Sequence, residues 1–113
     1  MRSGKYNAKR HEVDGVVFAS KKEAVRFREL KLLEAGSLIT SLRLQPSFVL
    51  QPAFRDATGK TQRAIKYQAD FAYMENGREV IEEVKGYDRN RVWQMKHKMF
   101  LYCYPEKELR IIK

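Results

Sequence analysis

Two acidic residues and a lysine lie on neighbouring predicted strands of this 113-residue chain, at a spacing that suits a metal ion. They are Asp70, Glu83 and Lys85, and the pair Asn76-Gly77 lies between the two strands. Asn-Gly favours a two-residue hairpin turn, because both central residues of a type I′ turn need positive φ. In that tight register Asp70 lies opposite Glu83, so their carboxylates are predicted to meet across the strand pair.

The same register divides the hairpin into an apolar and a polar face, since successive side chains of a strand point to opposite sides. Glu82 falls on the apolar face, which favours a place near the rim of the sheet where its carboxylate reaches water. The apolar face, expected to be the core side, carries Tyr67, Ala69, Phe71, Tyr73, Val80 and Val84, and the polar face carries Gln68, Asp70, Glu83 and Lys85.

Two carboxylates opposed across a strand pair repel one another and destabilise the sheet unless a positive charge compensates. Lys85, two residues from Glu83 on the same face, is one candidate for that charge. A divalent cation is the other, since Mg²⁺ takes one or two carboxylates together with water and phosphate oxygens. An ordinary surface charge cluster balanced by Lys85 is the alternative that this pattern leaves open.

A third carboxylate, Glu23, lies in the first turn of a predicted helix. Ser20, three residues earlier, matches the capping box, in which the Glu carboxylate returns to the N-cap amide. A helical wheel also places Glu23 between Phe27 and Leu30, in an apolar arc where an unpaired carboxylate is costly. Glu23 is therefore either a local cap or a further member of the acidic site.

The chain is strongly basic, with 23 Lys plus Arg against 14 Asp plus Glu and a net charge of +9. Such an excess in a short chain favours a polyanionic partner, because each neutralised phosphate releases counterions. Any single lysine is also typical of a solvated surface. The candidate DNA contacts are Lys21, Lys22, Lys60, Arg63, Lys66, Gln68, Arg89, Arg91, Lys96 and Lys98.

Composition excludes several classes of protein. The single cysteine, Cys103, rules out an intramolecular disulfide and a thiolate zinc site. The basic N-terminus has no apolar run behind it, which predicts no signal peptide, and no apolar stretch is long enough to span a membrane. We therefore expect a soluble, cytoplasmic protein without a membrane partner.

The chain is predicted to form a single α+β domain over residues 13–113, preceded by a basic N-terminal arm over residues 1–12. The predicted order is helix, three strands, helix, strand. The helices run from Ser20 to about Ala35, closed by Gly36, and from Asp88 to about Tyr104, stopped by Pro105. A hairpin turn is expected at Asp14-Gly15, a connection at 37–46, a turn at 56–59, and strands at 48–54, 62–75, 78–85 and 109–112.

Trp93 and His97 lie four residues apart on the second predicted helix. A tryptophan is more typical of a core or an interface than of base stacking. For His97 we expect a surface or interface role, with proton donation as the alternative. The cluster of Met95, Met99 and Phe100 is expected to form core or dimer contacts.

These residues and their order resemble the PD-(D/E)XK nuclease superfamily. Within it, the chain is similar to archaeal-type Holliday junction resolvases and to small phage-encoded relatives of them. Ala69 stands where the superfamily's name has proline. The segments that carry the resemblance are Ser20–Ala24, Leu44–Pro46, Tyr67–Phe71, Glu83–Gly86 and Phe100–Tyr102.

The resemblance implies a restriction-endonuclease-like αβββαβ core and a Mg²⁺-dependent endodeoxyribonuclease, with Mn²⁺ as a substitute ion and no other cofactor. Asp70, Glu83 and Glu23 would bind the metal, and Lys85 would hold or activate the attacking water. It further implies a homodimer that cuts four-way DNA junctions in recombination or repair, in the cytoplasm of a bacterial or archaeal host if the chain is phage-encoded. A nuclease for flaps, single strands or duplex ends, and a DNA-binding protein without catalysis, are the alternatives.

Overall fold

The computed structural model describes residues 11–84 and 90–113 of the chain. Lys85 and Arg89 therefore lie outside the described residues, as do residues 1–10 of the predicted arm and the predicted helix start at Asp88.

Helices and strands mix along the described chain, which is an α+β arrangement. Helix α1 spans Lys21–Ala35 and α2 spans Arg91–Cys103. In chain order the strands are β1 (His11–Val13), β2 (Val16–Phe18), β3 (Thr40–Leu44), β4 (Ser47–Gln51), β5 (Phe54–Arg55), β6 (Thr61–Gln62), β7 (Ile65–Gln68), β8 (Phe71–Glu75), β9 (Arg78–Val84) and β10 (Glu108–Ile112). No described helix is long and apolar enough to cross a membrane.

The first hairpin confirms the predicted turn. Asp14 and Gly15 have φ of 51° and 81°, and they join β1 to β2 in an antiparallel pair. Because β1 begins at His11, the last two residues of the predicted basic arm belong to a strand instead.

Helix α1 begins and ends where the sequence predicts. The Ser20 side chain accepts a hydrogen bond from the Glu23 amide at 3.1 Å, which satisfies one of the free N–H groups of the first turn. At the other end Gly36 has φ of −86°, and the left-handed residue is Ser37, with φ of 61°. Glycine is thus present at the helix end without supplying the positive φ.

A four-stranded mixed sheet forms the centre of the fold, in the order β10-β9-β8-β3. Strands β3, β8 and β9 are antiparallel neighbours, and β10 runs parallel to β9. Strand β3 lies in the segment 37–46 that the sequence predicts to be a connection. That prediction is wrong, because β3 pairs with β8 along the edge of the sheet.

The two longest predicted strands are interrupted. The segment 62–75 contains parts of three strands, with Ala69 and Asp70 lying between β7 and β8. The segment 48–54 divides at Pro52, just beyond a register shift between Val49 and Gln51 in the β4–β7 pair. Pro52 itself lies outside any strand, because proline offers no N–H to a ladder, and β4 ends at Gln51.

Both faces of the four-stranded sheet are buried, one under each helix. Ala72 and Ile81 expose no surface, although they belong to the face predicted to be polar. The prediction of one apolar and one polar face is therefore wrong. The α1 side packs Phe27, Leu30, Phe71, Tyr73, Val80 and Val84, and the α2 side packs Tyr67, Ala69, Ala72, Ile81 and Phe100.

The break before β8 explains why Tyr67 and Ala69 lie on the α2 side although Phe71 and Tyr73, which continue the same alternation, lie on the α1 side. The Ala69 amide donates to Pro46 O at 3.0 Å, and the Gln45 amide donates to Asp70 O at 2.9 Å. These bonds hold the chain in a non-strand conformation at residues 69 and 70, so side-chain alternation restarts in β8. Tyr67 thereby comes to lie on the same side as Glu83.

Helix α2 contributes one fully buried side chain, Phe100, to the described core. Val92 and Met95 are 55% and 57% exposed, which excludes the core as the place of Met95 and leaves dimer contact, the other predicted role, as a prediction. Met99 is partly buried against the α2-side core. The helix ends at Cys103 with Tyr104 as its C-cap, immediately before Pro105 and within one residue of the predicted end.

Candidate active site

The register of the β8–β9 hairpin is the predicted one. Glu75 pairs with Arg78 around a turn in which Asn76 and Gly77 have φ of 52° and 78°. The ladder continues past the end of β8, since the Asp70 amide donates to Glu82 O at 3.0 Å. Asp70 and Glu83 are therefore cross-strand neighbours.

Backbone hydrogen bonds fix the Asp70 side chain at the end of β9. Its Oδ2 accepts a hydrogen bond from the Val84 amide at 2.7 Å. Its own carbonyl is held by the Gln45 amide, so the residue is anchored from two separate segments. The carboxylate consequently lies beside the backbone of the residue that follows Glu83.

The Glu83 carboxylate lies in an unfavourable setting for a negative charge. Burial raises its pKa to about 7, the Tyr67 hydrogen bond opposes that rise, and the charges of Asp70 and Glu23 add to it. Tyr67 donates its hydroxyl to Glu83 Oε1 at 2.5 Å. Near neutral pH this side chain is therefore present in both its protonated and its ionised form.

Glu23 is the third carboxylate whose charge acts at this place, and we call Glu23, Asp70 and Glu83 the acidic cluster. The first half of the predicted capping box is formed by Ser20, but the Glu23 carboxylate accepts no hydrogen bond from the described residues. Its charge instead acts on Glu83. The three predicted carboxylates thus influence one another through their charges from three segments: the first turn of α1, the residue before β8 and the end of β9.

Glu82, the neighbour of Glu83, has the opposite setting. It is fully buried on the α1 side, where Arg26 donates to both carboxylate oxygens at 2.8 and 2.6 Å. Tyr73 donates a further hydrogen bond at 2.5 Å. The predicted position at the rim of the sheet is wrong, because an internal arginine neutralises this charge. Arg26 is three residues after Glu23 in α1, on the side that packs the sheet.

The predicted DNA contacts fall into separate groups. Lys66, Gln68 and Lys96 line an open depression of about 400 Å³ together with Tyr67 and Trp93. Lys21 and Lys22 line another cavity, of about 340 Å³, at the start of α1. Both places adjoin the acidic cluster. Arg91 and Lys98 line a shallow hollow along α2, and Lys60 and Arg63 are exposed around β6; no described contact brings these four to the carboxylates.

Tyr67 and Trp93 border the candidate site, although the sequence pattern predicts a core position for Tyr67 and a core or interface position for Trp93. Trp93 stacks on His97, with ring centroids 4.9 Å apart and planes 7° from parallel. The indole lowers the pKa of Glu83, yet its buried Nε1 meets no acceptor within hydrogen-bond distance among the described residues. A tryptophan in the first turn of the helix that follows the acidic strand is the one available indication.

The family model described as "Protein of unknown function (DUF1064)" matches residues 3–113. The chain belongs to the DUF1064 family. No curated protein and no solved structure matches the chain. The acidic cluster of this DUF1064 protein therefore has to be interpreted from its own geometry.

The donor set of the DUF1064 site suits a hard divalent cation. Within residues 11–84 and 90–113, no three acidic, histidine or cysteine side chains form a ready cluster for one ion. Two carboxylates are what Mg²⁺ commonly takes from a protein, the other positions being filled by water and phosphate oxygens. Asp70 and Glu83 fit that requirement, and Glu23 acts on the site through its charge.

Proposed function

We propose that this DUF1064 chain is a Mg²⁺-dependent endodeoxyribonuclease with a restriction-endonuclease-like core of the PD-(D/E)XK type. The setting of Glu83 carries the proposal. Its carboxylate lies beside two further carboxylates, and no described cation pairs with it, whereas Glu82 has Arg26. Among the described residues, one of two neighbouring glutamates is neutralised by an arginine and the other is left among like charges, which favours an external cation at the second. Lys85, the alternative counter-charge, lies outside the described residues.

The order of elements supports the same proposal. Helix α1, strands β3, β8 and β9, helix α2 and strand β10 follow one another as αβββαβ. Strand β10 returns beside β9 and parallel to it, with α2 as the crossover. The acidic residues lie where β9 ends, next to the first turns of both helices. This is the element order that the resemblance implies, with β4–β7 as an addition.

Bound Mg²⁺ would act as a Lewis acid on the phosphodiester and would lower the pKa of a coordinated water. Asp70 and Glu83 would hold the ion, Asp70 being oriented by the Val84 amide and Glu83 by the Tyr67 hydroxyl. Lys85, which lies outside the described residues, would hold the attacking water. Hydrolysis forms a bond from water oxygen to phosphorus and breaks the bond to O3′, which takes up a proton.

Branched DNA is the proposed substrate, with a homodimer as the acting form. Symmetric cutting of two opposed strands at a four-way junction requires two active sites related by a two-fold axis. An exposed stripe along α2 supports self-association: Val92, Met95 and Tyr102 are 55%, 57% and 88% exposed and recur at helical spacing.

A panel of labelled substrates in Mg²⁺ tests the proposal: a four-way junction, a Y-shape, a flap, a single strand and a linear duplex. We expect paired cuts in the junction, and no cutting by Asp70→Asn. Preferential cutting of another member would contradict the junction assignment and retain the nuclease. Binding without cutting in either Mg²⁺ or Mn²⁺ would contradict the nuclease function. It would favour a DNA-binding protein that attracts phosphates through its net charge of +9.

A further inference from the structure

Two basic clefts border the acidic cluster. The α1 cleft is the cavity of about 340 Å³ lined by Lys21, Lys22, Val84, Ile112 and Lys113, with Arg26 at its side. The α2 cleft is the depression of about 400 Å³ lined by Lys66, Tyr67, Gln68, Trp93 and Lys96. Each therefore combines lysines with apolar or aromatic side chains, and Glu29, the acidic residue in the lining of the α1 cleft, is paired with Arg26 at 3.0 Å.

The two clefts approach the carboxylates from opposite faces of the sheet. Val84, in the wall of the α1 cleft, follows Glu83 in β9 and donates its amide to Asp70. Tyr67, in the wall of the α2 cleft, donates its hydroxyl to Glu83. Because consecutive residues of a strand face opposite sides, the acidic cluster lies between the clefts at the end of β9.

The cleft lysines retain their charge for a ligand. Among the described residues, none of Lys21, Lys22, Lys113, Lys66 and Lys96 forms an ion pair. The charge of Arg26, in contrast, is taken by Glu82 and Glu29. The clefts are therefore cationic on both sides of a centre that is anionic until it holds a metal.

We propose that a single DNA strand runs from the α1 cleft across the acidic cluster into the α2 cleft. Its backbone phosphates are bound on both sides of the phosphate that is cut. This inference rests on the proposed nuclease function and deepens it: a strand held on both sides needs no free end, and Trp93 and Tyr67 line the path of the nucleotides on one side only.

Salt-dependent binding of a fluorescently labelled oligothymidylate, measured in EDTA, tests the path without any cleavage. Each lysine removed from a phosphate contact lowers the slope of log K against log salt by about 0.7 for a single strand. The double variants Lys21→Ala/Lys113→Ala and Lys66→Ala/Lys96→Ala are each expected to lower it by about 1.4. Lys31→Ala on α1, where Lys31 faces Glu34 at 3.7 Å, is the matched control and is expected to change nothing.

Trp93 provides a second readout, because it is the chain's single tryptophan and lies in the α2 cleft. Binding of unlabelled oligothymidylate is expected to quench its fluorescence. The α1-cleft variant, Lys21→Ala/Lys113→Ala, should need a higher DNA concentration for half-saturation but reach the same quench as the unaltered protein at saturation. The α2-cleft variant should also bind more weakly and reach a smaller quench. Circular dichroism identical to that of the unaltered protein would establish that each variant folds.

If the α1-cleft variant binds with the slope of Lys31→Ala, the strand does not cross from that side and the proposal is wrong. If saturating DNA does not quench Trp93 fluorescence in the unaltered protein, the strand does not pass through the α2 cleft and the proposal is likewise wrong. With Mg²⁺ present, a four-way junction whose arms are closed by hairpin loops should be cut as readily as the same junction with free arm ends. Intact binding effects without any cutting would contradict the nuclease function alone, and cutting that requires a free end would contradict the path alone.

Discussion

Two consecutive glutamates show how one strand separates a structural charge from a reactive one. Glu82 points to the α1 side and meets a bidentate arginine, and Glu83 points to the α2 side and meets Tyr67 beside two like charges. Alternation along β9 is enough to produce the difference, because the two faces of the sheet are covered by different helices. The unusual pKa thus belongs to the face and not to the residue type.

The raised pKa of Glu83 predicts a pH-dependent cost in stability. Its folded-state pKa of about 7 exceeds the ordinary value of 4.5, so the folded protein keeps the proton that the unfolded chain has lost. The free energy of unfolding should therefore fall as pH rises from the ordinary pKa of 4.5 to the folded-state pKa of about 7. Glu83→Gln removes the effect and should gain about 1 kcal/mol above pH 7 after allowance for solvent screening, with no gain near pH 4.

Urea unfolding of both proteins across this pH range measures the difference. Mg²⁺ should raise the melting temperature of the unaltered protein more at pH 8 than at pH 6, because it competes with the proton for Glu83. The Glu83→Gln variant should lose most of that response. Equal stabilisation of both proteins by Mg²⁺ would contradict metal binding at this residue.

The buried Arg26–Glu82 pair predicts a large single-variant effect. Arg26→Met leaves Glu82 buried without a counter-charge and should cost about 3–5 kcal/mol of unfolding free energy. The double variant Arg26→Met/Glu82→Gln should recover most of the loss. Chemical denaturation of the unaltered protein, of each single variant (Arg26→Met and Glu82→Gln) and of the double variant measures the coupling. A single-variant cost below about 1 kcal/mol would show that water reaches Glu82.

At the scale of elements, the β8–β9 hairpin positions the site. Its turn fixes which residues face each other, and the break before β8 brings Asp70 and Tyr67 to the same end of β9. Helices α1 and α2 then each add a first-turn residue, Glu23 and Trp93. The site therefore depends on two helix starts and one strand end meeting at a single place.

The turn glycine can be tested against a matched glycine elsewhere. Gly77 and Gly59 have positive φ of 78° and 86°, and an added Cβ would meet nothing within 4 Å at either. Each change to alanine should cost about 1 kcal/mol of stability, because the backbone conformation disfavours a side chain. Only Gly77→Ala should also reduce Mg²⁺-dependent cleavage, measured as initial rate on the preferred substrate. Equal cleavage rates for Gly77→Ala and Gly59→Ala would show that the hairpin turn does not position the site.

Local patterns predict the elements that local chemistry determines. Asn76-Gly77, Asp14-Gly15 and the Ser20 cap are each specified by one to three residues, and each is confirmed. Strand β3 and the break at Ala69 are not local, since their partners lie in distant segments. The arginine that neutralises Glu82 comes from another element for the same reason. The cross-strand placement of Asp70 and Glu83 is thus predictable from the sequence, but the surroundings of these residues are not.

For the whole molecule, charge and shape have separate roles. The net charge of +9 favours any nucleic acid, while the two clefts direct a strand to one end of the sheet. The exposed α2 stripe meets the α2 cleft at Val92, and its other residues, Met95 and Tyr102, lie outside the lining of that cleft. A second copy docked there would set the spacing between two active sites.

The proposed homodimer predicts a dimer mass in solution. Light scattering should give twice the monomer mass of 13.3 kDa, and Met95→Glu/Tyr102→Glu should give the monomer. Leu32→Glu is the matched control, since Leu32 is 70% exposed on α1 and lies outside the stripe. A monomeric unaltered protein, or a dimer that survives the double change, would contradict the α2 interface.

The most direct measurement of the central claim is cleavage of a labelled four-way junction in Mg²⁺ by the unaltered protein and by Asp70→Asn, side by side. The carboxylate site predicts cutting by the first and a loss of at least about a hundredfold in rate for the second, with junction binding retained. Equal rates for the two proteins, or no cutting by either, would contradict it.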